Sequence, residues 1–138
     1  MKQLNKDEIV AHSEQIENSL RDVVELDEES VKRVMGLLAV GVMQCWLLLR
    51  DELCIGYAIT ECIYDNPANK NLLLIYMLKT HETATSVEVH KFYNELLDVA
   101  KAQQCAALTF YTTPQNEAKL QFLRKYGAII RNHYYIAV

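Results

Sequence analysis

Glycine and proline are scarce, at four and two residues in a chain of 138. That excludes a collagen-like chain, and a composition half hydrophobic and about a quarter charged excludes low-complexity and wholly disordered readings as well. No CxxC pair occurs among Cys45, Cys54, Cys62 and Cys105, and all four sit inside apolar runs. They read as buried free thiols of a reducing compartment, ahead of zinc ligands or a disulfide. No basic excess exists either. The net charge of −4 argues against direct nucleic-acid binding, which normally shows a basic stripe. Long apolar runs are missing too. The longest, Val34 to Leu49, is broken by Gly36, Gly41 and Gln44 and falls short of the roughly 20 residues a membrane span needs. Met1–Asp7 is polar, so no signal peptide and no membrane partner are expected.

What is present suits a globular protein. Hydrophobic residues make up 51% and charged residues 23%, which can build one core. The length predicts a single domain over 1–138, able to bury roughly two thirds of its unfolded surface without a disulfide or metal. The charge is uneven. Residues 1–69 carry six Lys/Arg against thirteen Asp/Glu, and residues 70–138 carry eight against five. Solvated helices in the first half explain this split, and a second half facing an anion is the sharper alternative.

Asn5 and Glu8 have capping-box spacing, and Ile9, Ile16, Leu20 and Val23 follow at helical intervals. The acidic run Glu25–Glu29 opens a second helix with Val31, Val34, Met35 and Leu38 inside and Gly41 as its stop. The period then changes. Cys45–Leu49 and Leu53–Tyr64 read as a hairpin around Arg50-Asp51-Glu52. Asp65–Lys70 is a loop, and Leu72–Leu78 is apolar on both faces, as a central covered strand is. Thr85 and Glu88 form a second capping box, opening a helix that buries Val89, Tyr93, Leu96 and Ala100. Cys105–Thr112 reads as a strand. Thr113 and Pro114 open a further helix that Gly127 ends, and Ala128–Val138 closes the chain as a strand. The predicted class is α/β (α+β), with the order α-α-β-β-β-α-β-α-β. Its crossovers and hairpin imply a mixed sheet with helices on both faces.

This order resembles the GNAT family of N-acetyltransferases over nearly the whole chain, without the family's usual first strand. The most specific stretch is Asn116 to Ala128, where Asn116, Gly127 and Ala128 fall in the family's register. Cys45-Trp46-Leu47-Leu48 and Gly56-Tyr57-Ala58-Ile59-Thr60-Glu61 resemble its early hairpin. Together they look most like the small GNAT-like proteins of tailed bacteriophages, some of which are virion components.

The resemblance implies an acetyl-CoA cleft between parallel strands. Backbone of Met77 and Leu78 would hold the pantetheine, and Thr83, Ala84, Thr85, Ser86 and Val87 would meet the pyrophosphate at the helix start. Asn116 would steady the next helix beside the cofactor. Glu61 or His81 would be the general base. The chain departs from the family pattern in two places. Ala84, Val87 and Val89 stand where an Arg and two small residues are usual, and no glycine lies between Gly56 and Gly127. Leu123 stands where a Tyr often protonates the leaving thiolate, with Tyr126 as the nearby substitute. His12, His90 and His133 show no ligand spacing, so no metal is expected. Tyr111, on the fourth expected strand, would either line the cleft or, as strand tyrosines more often do, pack in the core or an interface.

Two readings follow from the resemblance. One is a non-catalytic structural or interaction component with a degenerate acetyl-CoA site, part of a phage particle or active in the bacterial host cytoplasm. Its partners would be other protein chains, virion proteins or further copies of itself, with no cofactor. Tyr134, Tyr135, Ile136 and Val138 offer a terminal strand for such pairing. The other is an acetyl-CoA-dependent N-acetyltransferase acting on an amine of a small molecule or protein.

Overall fold

A two-residue strand at the N-terminus starts the chain, and the sheet grows from it. The computed structural model describes residues 1–66, 69–110 and 124. Its elements are β1 (Lys2–Gln3), α1 (Lys6–Ala11), α2 (Ser13–Val23), α3 (Glu28–Ala39), β2 (Met43–Arg50), β3 (Leu53–Asp65), β4 (Lys70–Thr80), α4 (Ser86–Ala102) and β5 (Ala107–Phe110). The described strands form one sheet in the order β1-β2-β3-β4-β5. Neighbours are antiparallel except β4 and β5, which run parallel with α4 as their crossover. The expected mixed sheet is therefore present.

Local chemistry explains most of the boundaries. Asn5 and Thr85 each accept from the backbone of a glutamate three residues on, and Glu8 and Glu88 each return the bond. Both capping boxes are real. Gly41, at φ +81°, ends α3: its own N–H reaches Leu38 O at 3.3 Å and that of Val42 reaches Leu37 O at 3.0 Å. That pair of bonds is the Schellman arrangement, which favours glycine at this left-handed position. The β2–β3 hairpin turns on Asp51 and Glu52 with positive φ at both, the sign pattern of a type I′ turn made without glycine.

Several expectations need correction. The first helix is two helices, because His12 leaves helical geometry and serves as the C-cap of α1 and the N-cap of α2. The apolar spacing runs through the break, so periodicity alone could not reveal it. The acidic run does not open the next helix as a block. Glu25 turns the chain at φ 56°, Asp27 caps, and α3 starts at Glu28. A first strand does exist. Lys2 pairs with Leu47 and Gln3 with Trp46, and Leu4 N–H donates to Cys45 O at 2.9 Å. Two residues carry no readable period. The later elements expected over Thr113–Val138 lie outside the described residues, save Arg124.

The core has two sides. Ile16 and Leu20 of α2 and Val31 and Leu38 of α3 pack on Cys45, Leu47, Ile59 and Met77. Phe92, Tyr93 and Leu96 of α4 cover Trp46, Leu48, Ala58 and Ile75 on the opposite face. Helices thus cover both faces, and β4 reads as an unbroken apolar run for that reason. Among the described residues, no helix is long and apolar enough to cross a membrane.

Candidate functional site

The site is built around an irregularity in β4. Ile59 pairs with Met77, but its neighbour Thr60 pairs with Ile75, so Tyr76 is an extra residue with no opposite number. The effect on the side chains is direct. Tyr76 and Met77, although consecutive, both face α1–α3, while Ile75 and Leu78 face α4. A bulge of this kind frees backbone groups from the ladder and re-aims side chains, and bulges concentrate beside active sites. It follows Ile75, the last described residue of β4 to pair with β5, opposite Phe110.

Glu61, on β3 opposite Leu74, is half-buried and close enough for its charge to act on the Tyr76 phenol. Burial is the main cause that raises the Tyr76 pKa; Arg33 of α3 lowers it and Glu61 raises it. A carboxylate, a phenol and a guanidinium therefore share the face beside the bulge. Sequence reading found Glu61 and missed Tyr76 and Arg33. A bulge leaves no mark in the spacing of an all-apolar strand.

His81 lies elsewhere. It follows β4, and its backbone N–H donates to Ile55 O at 2.6 Å. Its Nδ1 accepts from the Thr83 backbone N–H at 3.2 Å and lies 2.9 Å from the Thr83 hydroxyl. The exposed ring borders a groove of about 280 Å³ lined by Ser19, Cys54, Tyr57, Lys79 and Thr80. Leu74, opposite Glu61, and Thr80, beside His81, are six positions apart on β4, or roughly 20 Å at strand rise. The two candidate bases are not brought together.

The expected anion seat is the start of α4. The carboxylate of Glu88 already faces it. Arg50 Nε donates to Glu88 Oε2 at 2.7 Å, and another guanidinium nitrogen donates to Oε1 at 2.6 Å. That nitrogen also donates to Thr83 O at 3.0 Å, and Thr85 N–H donates to Glu88 Oε1 at 3.0 Å. The Arg50 bonds chiefly hold the Glu88 carboxyl down to about 2. Ser86 and Val87 occupy the first turn, where helix geometry leaves amides without intrahelical partners. Val87 is 76% exposed, so its side chain points outward and is not packed over the helix start. Ala84 is half-buried against the Trp46 and Phe92 cluster, and Thr83 is exposed. Arg50 was not among the residues expected from the sequence. Its role depends on a hairpin that reaches across the sheet end to α4.

The remaining expectations divide. Met77 is buried and Leu78 half-buried in the strand that would hold a pantetheine. Asn116, Tyr126, Leu123 and Tyr111 lie outside the described residues. The cysteines are not uniformly buried, which corrects the sequence reading. Cys45 is buried and its thiol is pushed up to about 12 by that burial, but Cys54 and Cys62 are exposed and Cys105 is half-buried. Cys45 lies in the helix-covered centre of the sheet, whereas Cys54 sits near the hairpin end of β3, Cys62 toward the other end of that strand and Cys105 between α4 and β5. Among the described residues no three His, Cys, Asp or Glu side chains gather as a metal site.

No family model matches the chain, and no curated protein sequence matches it. Solved structures do. A probable acetyltransferase superposes with a TM-score of 0.77 at 14% identity, covering 99% of this chain and 95% of its own. The chain has the GNAT acetyltransferase fold. A second GNAT-fold structure, AAC(6')-Iy in complex with the bisubstrate analog CoA-S-monomethyl-acetylneamine, gives a TM-score of 0.76 at 14% identity over 99% and 96% of the two chains. The ribosomal-protein-alanine N-acetyltransferase from Brucella melitensis biovar Abortus 2308 gives 0.73 at 12% over 99% and 96%.

Proposed function

We propose that this GNAT-fold chain is an N-acetyltransferase that takes acetyl-CoA and acetylates an amine of a small molecule or protein. The observation that carries the reading is the β4 bulge at Tyr76 with Glu61 facing it beside the parallel β4–β5 pair. Bound acetyl-CoA supplies a thioester carbonyl as the electrophile. An amine arrives mostly protonated and must lose a proton before it can attack. Glu61, which is half-buried, would take that proton through a water. The acidic excess of residues 1–69 favours the approach of a cationic acceptor.

The chain fits the donor in part. The bulge leaves backbone groups of β4 available to an extended arm, and the first-turn amides of α4 suit a diphosphate. The carboxylate of Glu88 stands at the same helix start. It has to turn away for a diphosphate to enter, and doing so would free Arg50 for the phosphates.

Thermal unfolding with increasing acetyl-CoA tests binding. At 100 times the dissociation constant the ligand stabilises by about 2.7 kcal/mol, roughly 6–15 °C for a domain of this size. Chromatographic detection of free CoA with polyamines, amino sugars and peptides as acceptors then tests transfer. Glu61→Gln is expected to lower kcat by about 10²–10⁴-fold while leaving the acetyl-CoA shift in place. No shift at millimolar acetyl-CoA overturns the reading.

One observation favours a second reading. The Arg50–Glu88 pair satisfies the α4 start from within the chain. A GNAT-fold interaction component, such as a virion protein of a tailed phage, would need no more than that, because function belongs to the site and not to the fold. It is supported if Glu88→Gln also binds no acetyl-CoA and the protein co-purifies with a defined partner chain.

A further inference from the structure

Cys62 and Cys105 are 43 positions apart, yet their Sγ atoms lie 3.4 Å from each other. Cys62 projects from β3 on the α4 side, the face on which Thr60, two residues before it, meets Trp46. Cys105 sits between α4 and β5, and the backbone around it is pinned. Its N–H donates to Ala100 O at 2.8 Å, and Ala106 N–H donates to Asn71 O at 2.8 Å. Cys62 is exposed and Cys105 half-buried, so small reagents can reach the pair.

We propose that Cys62 and Cys105 are a dithiol modification site, which peroxide or a small-molecule disulfide converts into an intramolecular disulfide. With hydrogen peroxide, the Cys62 thiolate attacks one oxygen and the O–O bond breaks. Cys62 becomes a sulfenic acid and the departing hydroxide takes a proton to become water. Cys105 then attacks the Cys62 sulfur, the S–O bond breaks, and a second water leaves with the Cys105 proton. Two thiols and one peroxide yield one disulfide and two waters. With a small-molecule disulfide, two exchange steps release two small thiols. Exposure makes Cys62 the first to react. Burial, with the Cys62 sulfur beside it, holds the Cys105 thiol up at about 11, which makes Cys105 the poorer first nucleophile of the two. Bonded sulfurs lie about 2.05 Å apart and need their Cα atoms within about 7 Å, so closing the contact takes side-chain rotation together with an approach of the two backbone segments across β4. The bond would cross β4 and tie β3 to the entrance of β5, the strand that lines the parallel pair of the proposed cleft.

The reduced full-length protein is treated with hydrogen peroxide and, separately, with oxidised glutathione. Intact mass and non-reducing peptide mapping read the product. The expected result is a loss of two hydrogens, a Cys62 peptide linked to a Cys105 peptide, and reversal by dithiothreitol. The unfolding midpoint of the oxidised form should rise by about 5–15 °C, because the bond closes a long loop. Cys54→Ser should still form the link, and Cys62→Ser should not. The proposal is overturned if Cys62 accumulates as a glutathione adduct or a sulfinic acid while Cys105 stays free. It is equally overturned if the link joins Cys54 between two molecules.

Discussion

Arg50 grips Glu88 through two hydrogen bonds of 2.7 and 2.6 Å, joining the β2–β3 hairpin to the start of α4 across 38 positions of sequence. The same carboxylate accepts from the Thr85 N–H, so one side chain completes a salt bridge and a capping box together. It gives the helix dipole its negative partner.

This pair sets a pH dependence. The Glu88 carboxyl is lowered from 4.5 to about 2, first by the Arg50 bonds and then by the Thr85 backbone. A depressed folded-state value means the contribution is full above the unfolded value and is lost as pH falls through the folded one. The gap in unfolding midpoint between wild type and Glu88→Gln should therefore be widest above pH 4.5 and narrow as pH falls toward about 2. Thermal melts across that range check it. The same variant should bind acetyl-CoA more tightly, because it removes the carboxylate that stands at the α4 start.

Gly56 should not tolerate a side chain. A Cβ there would overlap the Lys79 carbonyl oxygen and stand 3.0 Å from Thr80 Cα, both backbone atoms of the neighbouring strand. Gly56→Ala should cost about 1–3 kcal/mol, read as a lowered midpoint in urea with little change in slope.

Trp46 and Thr60 make a buried bond, Nε1–H to Oγ1 at 2.9 Å. Thr60→Val keeps the shape and removes the acceptor, leaving a buried donor unsatisfied at a cost of about 1–3 kcal/mol. Trp46 is the sole tryptophan, so its fluorescence reports both the local change and the global transition.

Thiol alkylation should separate the cysteines. Cys54, exposed on β3, should react readily in the folded protein, whereas Cys45 should react only on unfolding. Burial both hides the Cys45 sulfur and pushes its thiol up to about 12. Mass spectrometry after timed labelling, with and without denaturant, checks the order.

Local interactions were written plainly into the chain. Asn5 with Glu8 and Thr85 with Glu88 meet within one helical turn, so spacing alone foretold both caps. The hairpin, the covered strand β4 and the crossover helix follow from apolar periods, and their order pointed to a mixed sheet and the GNAT fold. Glu61 was legible as a carboxylate on the second hairpin strand, and His81 as a histidine after β4. That the two stand at different ends of β4 was not. The break at His12, the bulge at Tyr76, the Arg50–Glu88 fork and the Cys62–Cys105 contact had no signature in spacing. Each depends on where one element stops relative to another packed beside it. Periodicity is a property of a single helix or strand and is set by backbone geometry. Register, and which distant side chains meet across it, is set by packing the whole sheet against helices on both faces. In this chain, tertiary packing alone decided the bulge at Tyr76 and the Arg50–Glu88 contact.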